Sequence, residues 1–231
     1  AKWTHLIAEV PVVVKASVTD STIATVADLI IDAENTQTID SSVSAGSVAL
    51  AAGFIADAVS GAGSGTVNRI NALVTAEIDG SASVSGPDVA VGGNLSMAAD
   101  ETSLINAFSA ASSVAVAEGF FADAAATGIA GADSRISGSA KALVNDVHLA
   151  VAGDAKVNAL QSATIDSEAR ASAASNGELA GGGARAEAVV ASTTRATVNS
   201  AIFDVIGALE VFASSASVAD ARVGAEAGGS A

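Results

Sequence analysis

The stretch Val89-Ala-Val-Gly-Gly-Asn-Leu-Ser-Met-Ala-Ala99 decides the reading of this chain. Val89, Val91, Gly93, Leu95, Met97 and Ala99 share one parity. Ala90, Gly92, Asn94, Ser96, Ala98 and Asp100 share the other. Alternation at period two is the mark of a strand, whose successive side chains point to opposite faces. The same stretch returns as Leu149-x-Val151-x-Gly153-x-Ala155-x-Val157-x-Ala159, shifted by 60 (149 − 89). It returns again as Phe203-x-Val205-x-Gly207-x-Leu209-x-Val211-x-Ala213, shifted by 54 (203 − 149). Upstream, Val48–Ala58 reappears as Val114–Ala124, an offset of 66 (114 − 48). That offset also carries Leu29, Ile31, Ala33 and Ile39 onto Leu95, Met97, Ala99 and Ile105, and Arg69-Ile70 onto Arg135-Ile136. Self-similarity of this length signals stacked structural repeats.

The spacing shortens by six residues at two places, Gly80–Asp88 (which holds Pro87) and Asn176–Gly183. Repeat proteins absorb insertions at such turn-forming sites. Turn chemistry also marks Asp32–Asn35, Gly61–Gly65, Asp79–Gly80, Gly92–Asn94 and Gly153–Asp154. The copies therefore run 23–88, 89–148, 149–202 and, partially, 203–223. A junction or capping segment at 1–22, with Trp3, precedes them, and a Gly/Ala-rich tail or continuation at 224–231 follows. Copies of this length with several short strands predict about three coils each. About eleven coils at ~4.8 Å would stack into a rod of roughly 50 Å. The expected fold class is all-β, a parallel β-helix. The competing reading is helical, because Ala is the best helix former. Ser47–Ser60 and Ser113–Thr127 are the candidate helices. Gly53 and Gly119 interrupt both, at a cost of about 1 kcal/mol each.

Composition explains why stacking is needed. Half of the 231 residues are hydrophobic but only 3% are aromatic, with six Phe, one Trp and no Tyr. Ala alone is about a quarter of the chain, and Gly contributes 22 residues. Burying one large apolar side chain supplies about 1.5–3 kcal/mol, and few are present. Ladders of small residues with backbone pairing between coils are the alternative source of stability. Ten basic against 25 acidic residues give a net charge of −15. Such a chain repels nucleic-acid phosphates and anionic lipid. The longest apolar stretches, Val48–Val59 and Val114–Ala126, are broken by Gly53, Asp57, Glu118 and Asp123, so no membrane insertion is expected. Cys is absent, which excludes disulfides and thiolate chemistry. With no initial Met and no leader pattern, the chain is expected to be a processed or excised piece.

Candidate chemistry is sparse. His5 and His148 are far apart, and with no Cys they do not make an ordinary zinc site. No Gly-x-Ser-x-Gly elbow stands on a strand–helix turn. Carboxylates at Asp32/Glu34/Asp40, Asp57, Asp79/Asp88, Asp100/Glu101, Asp123/Asp133 and Asp166/Glu168 are expected near turns, solvated, with weak Ca²⁺ binding as the outside reading. Paired carboxylates also serve polysaccharide cleavage, but the Arg residues (69, 135, 170, 185, 195 and 222) are spread thinly and Tyr is absent. Arg69 and Arg135 occupy equivalent positions, as a structural ladder would. The runs Gly61–Gly65 and Gly181–Gly183 lack the Lys-Ser/Thr of a phosphate loop. Phe54, Phe120 and Phe121 are core plugs or a lateral apolar patch, and the repetition of Phe54 at Phe120 favours the core. Ile206 and Phe212 fall on the outward parity and suggest lateral packing.

Val89–Ala99, Ser103–Ala107, Val114–Ala126 and Ala142–Asn145 together resemble the repetitive stalk of leukotoxin-type and haemagglutinin-like filamentous adhesins. The resemblance spans roughly Ile23 to Val223. Ala27 departs from it where the other copies have Gly93, Gly153 and Gly207, and the third copy lacks the Gly-Phe-x-Ala-Asp stretch. The resemblance implies a right-handed parallel β-helix in a very long secreted or surface-bound bacterial protein. It brings no catalytic residues. The expectation is a non-catalytic structural segment or subunit of an extracellular or cell-surface filament or adhesin stalk, bacterial or archaeal. It would have no catalytic, cofactor or metal residues. It would associate with itself, end to end, or continue within a longer chain, and meet a host cell, surface or polysaccharide. The alternatives are a carbohydrate-active β-helix enzyme and an Ala-rich helical surface or stress protein.

Overall fold

A computed structural model describes residues 10–80, 87–177 and 179–229. Twelve strands and no helix are found among them: β1 (Val12–Thr19), β2 (Ile23–Thr25), β3 (Leu29–Ala52), β4 (Ile55–Asp79), β5 (Val89–Val91), β6 (Leu95–Glu118), β7 (Phe121–Asn145), β8 (His148–Val151), β9 (Ala155–Ser175), β10 (Leu179–Asn199), β11 (Ile202–Val205) and β12 (Leu209–Gly229). They form three four-stranded sheets of parallel strands, ordered β1-β4-β7-β10, β2-β5-β8-β11 and β3-β6-β9-β12. Ser47–Ser60 and Ser113–Thr127 are each strand, tight turn and returning strand, not helix.

The β-solenoid is built with one coil per copy. Leu29 pairs with Leu95, Leu95 with Ala155 and Ala155 with Leu209, so neighbouring rungs lie a whole repeat apart. The expectation of three coils per copy, and of a rod of about eleven coils, is therefore corrected. Each coil is an elongated triangle: a short strand of 3 or 4 residues, a long strand of 21 to 24, and a returning strand of 21 to 25. The long sides reach about 80 Å at ~3.3 Å per residue, and four rungs are only about 15 Å deep. The miscount has a local cause. Asp32–Asn35 and Gly61–Gly65, whose composition signals turns, lie inside β3 and β4. There Gly61, Gly63 and Gly65 take the solvent parity, where a strand tolerates small residues. The corners fall instead at Gly92–Asn94, Gly153–Asp154 and the turns joining the long strands. Val12–Thr19, expected in the junction, forms a partial rung on Ala72–Asp79. β12 continues past 223 to Gly229 on β9. Trp3 lies outside the described residues.

The two long sheets face each other, and the coil tapers. At the base, where the short sheet holds them apart, the core is Val74, Ile78, Leu95, Met97, Val144, Leu149 and Val157. Midway it consists of Ile70, Ile105, Ile136 and Ile165 with Ala. Toward the tight turn it is Ala alone: Ala56, Ala58, Ala115, Ala117, Ala124, Ala126 and Ala173. Side-chain volume thus follows the narrowing gap, as close packing requires. Hydroxyl pairs span the sheets within the middle zone, Ser64–Ser109 at 2.8 Å and Ser167–Ser134 at 2.6 Å, and between it and the Ala zone, Ser47–Ser60 at 2.7 Å. A Cβ on inward-facing Gly128 would come 2.5 Å from the Ser172 carbonyl oxygen of the opposite sheet, so only glycine fits.

The departure at Ala27 has a steric reason. A Cβ on Gly93 would collide with the Asp28 carboxylate and lie 2.9 Å from the Asp28 nitrogen. One on Gly153 would collide with the Asn94 amide and lie 2.8 Å from the Gly93 carbonyl oxygen. Both obstacles stand on the preceding rung. Ala27 occupies the same corner of the first described rung, with no earlier rung described beside it, and keeps its methyl.

Candidate functional site

Most of the candidate carboxylates are in strands, not at turns as expected. Asp32, Glu34 and Asp40 project outward from β3, Asp100 from β6, and Asp166 and Glu168 from β9. Strand parity places them there, because each falls between inward-facing residues. Asp57, Asp123 and Asp133 likewise lie on the outward parity of β4 and β7. Glu34 and Asp100 are register partners. Burial, followed by the charges of Asp32 and Glu34, raises the Asp100 carboxyl above its ordinary value.

Glu101 has the opposite parity and is only 1% exposed. It lies between Asn35 and Gln161 on the adjoining rungs. Gln161 Nε2 donates to Glu101 Oε2 at 2.8 Å, and the Ser103 hydroxyl donates to Oε1. Thr194 Oγ1, from the facing sheet, donates to Gln161 Oε1 at 3.0 Å. The result is a polar rung across the core between the basal and middle apolar zones. Glu101 and Gln161 are closed to solvent and hydrogen-bonded within it, whereas the buried Nδ2 of Asn35, one rung away, has no partner.

His148 opens β8, as its place in the sequence suggests. Its Nε2 lies 2.9 Å from Asp204 Oδ2 and its backbone N–H donates to Asp88 Oδ2 at 3.1 Å. The imidazole ties adjoining rungs together. His5 lies outside the described residues. Beside this corner, the outer face of the short sheet forms an open groove of about 760 Å³ along Ala24, Ala90, Ala150 and Ile206. Ile206 is 84% exposed. Among the described residues Asp204 is the one ionisable side chain lining the groove. No group of three or more metal-ligating side chains gathers among the described residues.

The aromatic residues move from the expected core to the surface. Phe54, Phe120 and Phe121 are 69%, 78% and 59% exposed. The Phe54 and Phe120 rings stack with centroids 5.7 Å apart, and Phe121 meets both edge-on. They occupy the turn between the long strands, where the gap holds only Ala. The third rung turns earlier: Ser175 pairs with Ala115 and Leu179 with Ala125. The shortening of the third copy thus removes the turn's outermost residues, and the tip of the first two rungs extends beyond the third. The repetition that favoured the core instead records a stacked surface ladder. Ile206 lines the outer groove, and Phe212 pairs with the outward Asn158, as their parity predicts. Arg69 and Arg135 are register partners in a ladder.

No family model, curated protein or solved structure matches the chain.

A polar network is sealed inside, a His–Asp contact joins rungs, and apolar side chains crowd the narrow tip and the outer faces of the sheets.

Proposed function

We propose that this chain is a non-catalytic structural segment of an extracellular or cell-surface filament or adhesin stalk. In this reading it continues within a longer chain or associates with its own copies. The observation that carries it is the rung-on-rung register of all three sheets, in which equivalent positions such as Leu29, Leu95 and Leu209 recur along one axis. Parallel pairing along an axis makes a stiff body whose surface repeats, which is what a spacer needs. The side chains that could do chemistry are engaged in holding rungs together: Glu101 on Gln161, and His148 on Asp204. The strongly acidic composition keeps such a repetitive, apolar surface soluble.

Immunogold labelling of intact source cells, with an antibody raised against the folded chain, tests the reading. Label is expected on the cell surface or on material shed from it. Label confined to the cytoplasm of permeabilised cells would overturn it.

A further inference from the structure

The outer face of the sheet β1-β4-β7-β10 is unusual toward the tip. Ile55, Val59, Val67, Phe121, Ile129 and Leu179 are all exposed there. Between them lie outward glycines with no internal reason to be glycine. A Cβ at Gly131, Gly181 or Gly183 would meet nothing within 4 Å, and at Gly61 or Gly63 only a backbone oxygen at 3.9 Å. Glycine in a strand is unfavourable by about 0.5–1 kcal/mol relative to Ala. A strand glycine marks a bulge, a tight bend or close approach by another backbone or a ligand, and the unbroken register here leaves the last.

Beside Asp133 and the paired Arg185 and Glu187, two charge ladders on this face say what approaches. Asp57 stacks on Asp123, and Arg69 stacks on Arg135, each pair in register on adjoining rungs. Like charges directly opposite on neighbouring strands are destabilising. Among the described residues Asp57, Asp123 and Arg135 enter no ion pair. The acidic and basic pairs are twelve residues apart in each strand (69 − 57; 135 − 123). Their midpoints are Gly63 and Ile129, themselves register partners.

We infer that this face binds a second copy of the chain, related by a two-fold axis that runs along the stacking direction over Gly63 and Ile129. That operation lays rung on equivalent rung with strand direction reversed. It places Asp57 on the partner's Arg69, Asp123 on the partner's Arg135 and Val59 on the partner's Val67. Gly61 and Gly65 meet across the axis, where bare backbone lets the sheets close around Ile129. The face, about 40 Å by 15 Å, offers roughly 600 Å² per partner, at the low end for a specific interface. The dimer is therefore weak and concentration-dependent. This inference deepens the self-association part of the proposed function, and its test reads mass in solution, independently of cellular location.

Sedimentation equilibrium between about 1 and 500 µM provides the test, with far-UV circular dichroism of every variant as the folding control. The wild-type chain is expected to pass from monomer to dimer. Arg69→Asp/Arg135→Asp makes both of these ladders acidic, and Asp57→Arg/Asp123→Arg makes both basic. Each alone is expected to weaken dimerisation at least tenfold, and an equimolar mixture of the two to restore it. Gly183→Arg, which adds bulk where a side chain meets open space, is expected to weaken the dimer with folding intact, and carries the test if a charge variant misfolds. A wild-type chain that stays monomeric throughout would overturn the inference. So would a dimer indifferent to these variants, or a mixture that recovers nothing.

Discussion

The Asp28 carboxylate accepts a 2.7 Å hydrogen bond from the backbone N–H of Asn94, its counterpart one rung on. Asn94 Oδ1 in turn accepts from the Asp154 N–H at 2.9 Å, and Asp154 Oδ1 from the Ala208 N–H at 2.9 Å. One corner of the solenoid is thus stitched by side chains that each satisfy the next rung's backbone. The chain of acceptors ends at Ala208, whose methyl has nothing to offer. Removing a link leaves a backbone donor without its partner, and a hydrogen bond of this kind is worth about 1 kcal/mol. Asn94→Ala is expected to lower unfolding free energy by about that amount in chemical denaturation. Asp28→Ala should cost a comparable amount. Gly153→Ala should cost more than either, because its methyl would be driven against the Asn94 side chain.

The outer acidic ladder sets a pH dependence. The folded protein raises the Asp100 carboxyl above its value in the unfolded chain, through burial and then Asp32 and Glu34. A raised acid favours folding in its protonated form. Its penalty is therefore full above the folded pKa and is relieved as pH falls from there toward 3.8. Asp100→Asn should stabilise the protein at pH 7, by about 0.5 kcal/mol on the scale of an unfavourable cross-strand charge pair. The gain should vanish below pH 3.8. Thermal melts of both proteins at the two pH values check this.

Glu101 makes the opposite kind of contribution. Truncation to Ala strands the Gln161 amide and the Ser103 hydroxyl in a dry interior. A buried unsatisfied polar group costs about 1–3 kcal/mol. Glu101→Ala should therefore lower stability by at least that much in a denaturant titration. A change below about 0.5 kcal/mol, less than one ordinary hydrogen bond contributes, would show that the polar rung is not closed.

The tip behaves as surface. Phe120→Ser removes an exposed ring, so stability should shift by less than about 1 kcal/mol, the worth of its ring–ring contacts. Binding of a hydrophobic-surface dye should fall. A loss of about 3 kcal/mol or more, the cost of emptying a core site, would return Phe120 to the interior.

The sequence and the structure agree where the signal is periodic and part where it is local. Parity along Val89–Ala99 correctly assigned the inward faces of Leu95, Met97 and Ala99, because side chains in a strand alternate whatever the coil length. The same alternation carried no information on how far a strand runs before it turns. Outward glycines at Gly61–Gly65 resemble a turn in composition, and only the pairing of Gly63 with Ile129 places them in mid-strand. Repetition of Phe54 at Phe120 marked equivalence, not burial. Burial depends on the width of the gap, which the Ala-only zone of Ala56, Ala115 and Ala124 already indicated. Glu101 could have been found by parity alone, since it shares the inward register of Ala99 and Ser103.

The central claim is that one copy makes one coil. Thr36 pairs with Thr102, and Thr102 with Ser162, so Thr36 and Ser162 lie two rungs apart on the same outer face. That separation is about 10 Å between backbones. The chain has no Cys, so Thr36→Cys/Ser162→Cys accepts two spin labels cleanly. Continuous-wave electron paramagnetic resonance of the frozen double-labelled protein should show strong dipolar broadening, absent from either single label. Spectra that superimpose on the sum of the single labels would place the two sites several rungs further apart, as three short coils per copy require, and would contradict the account.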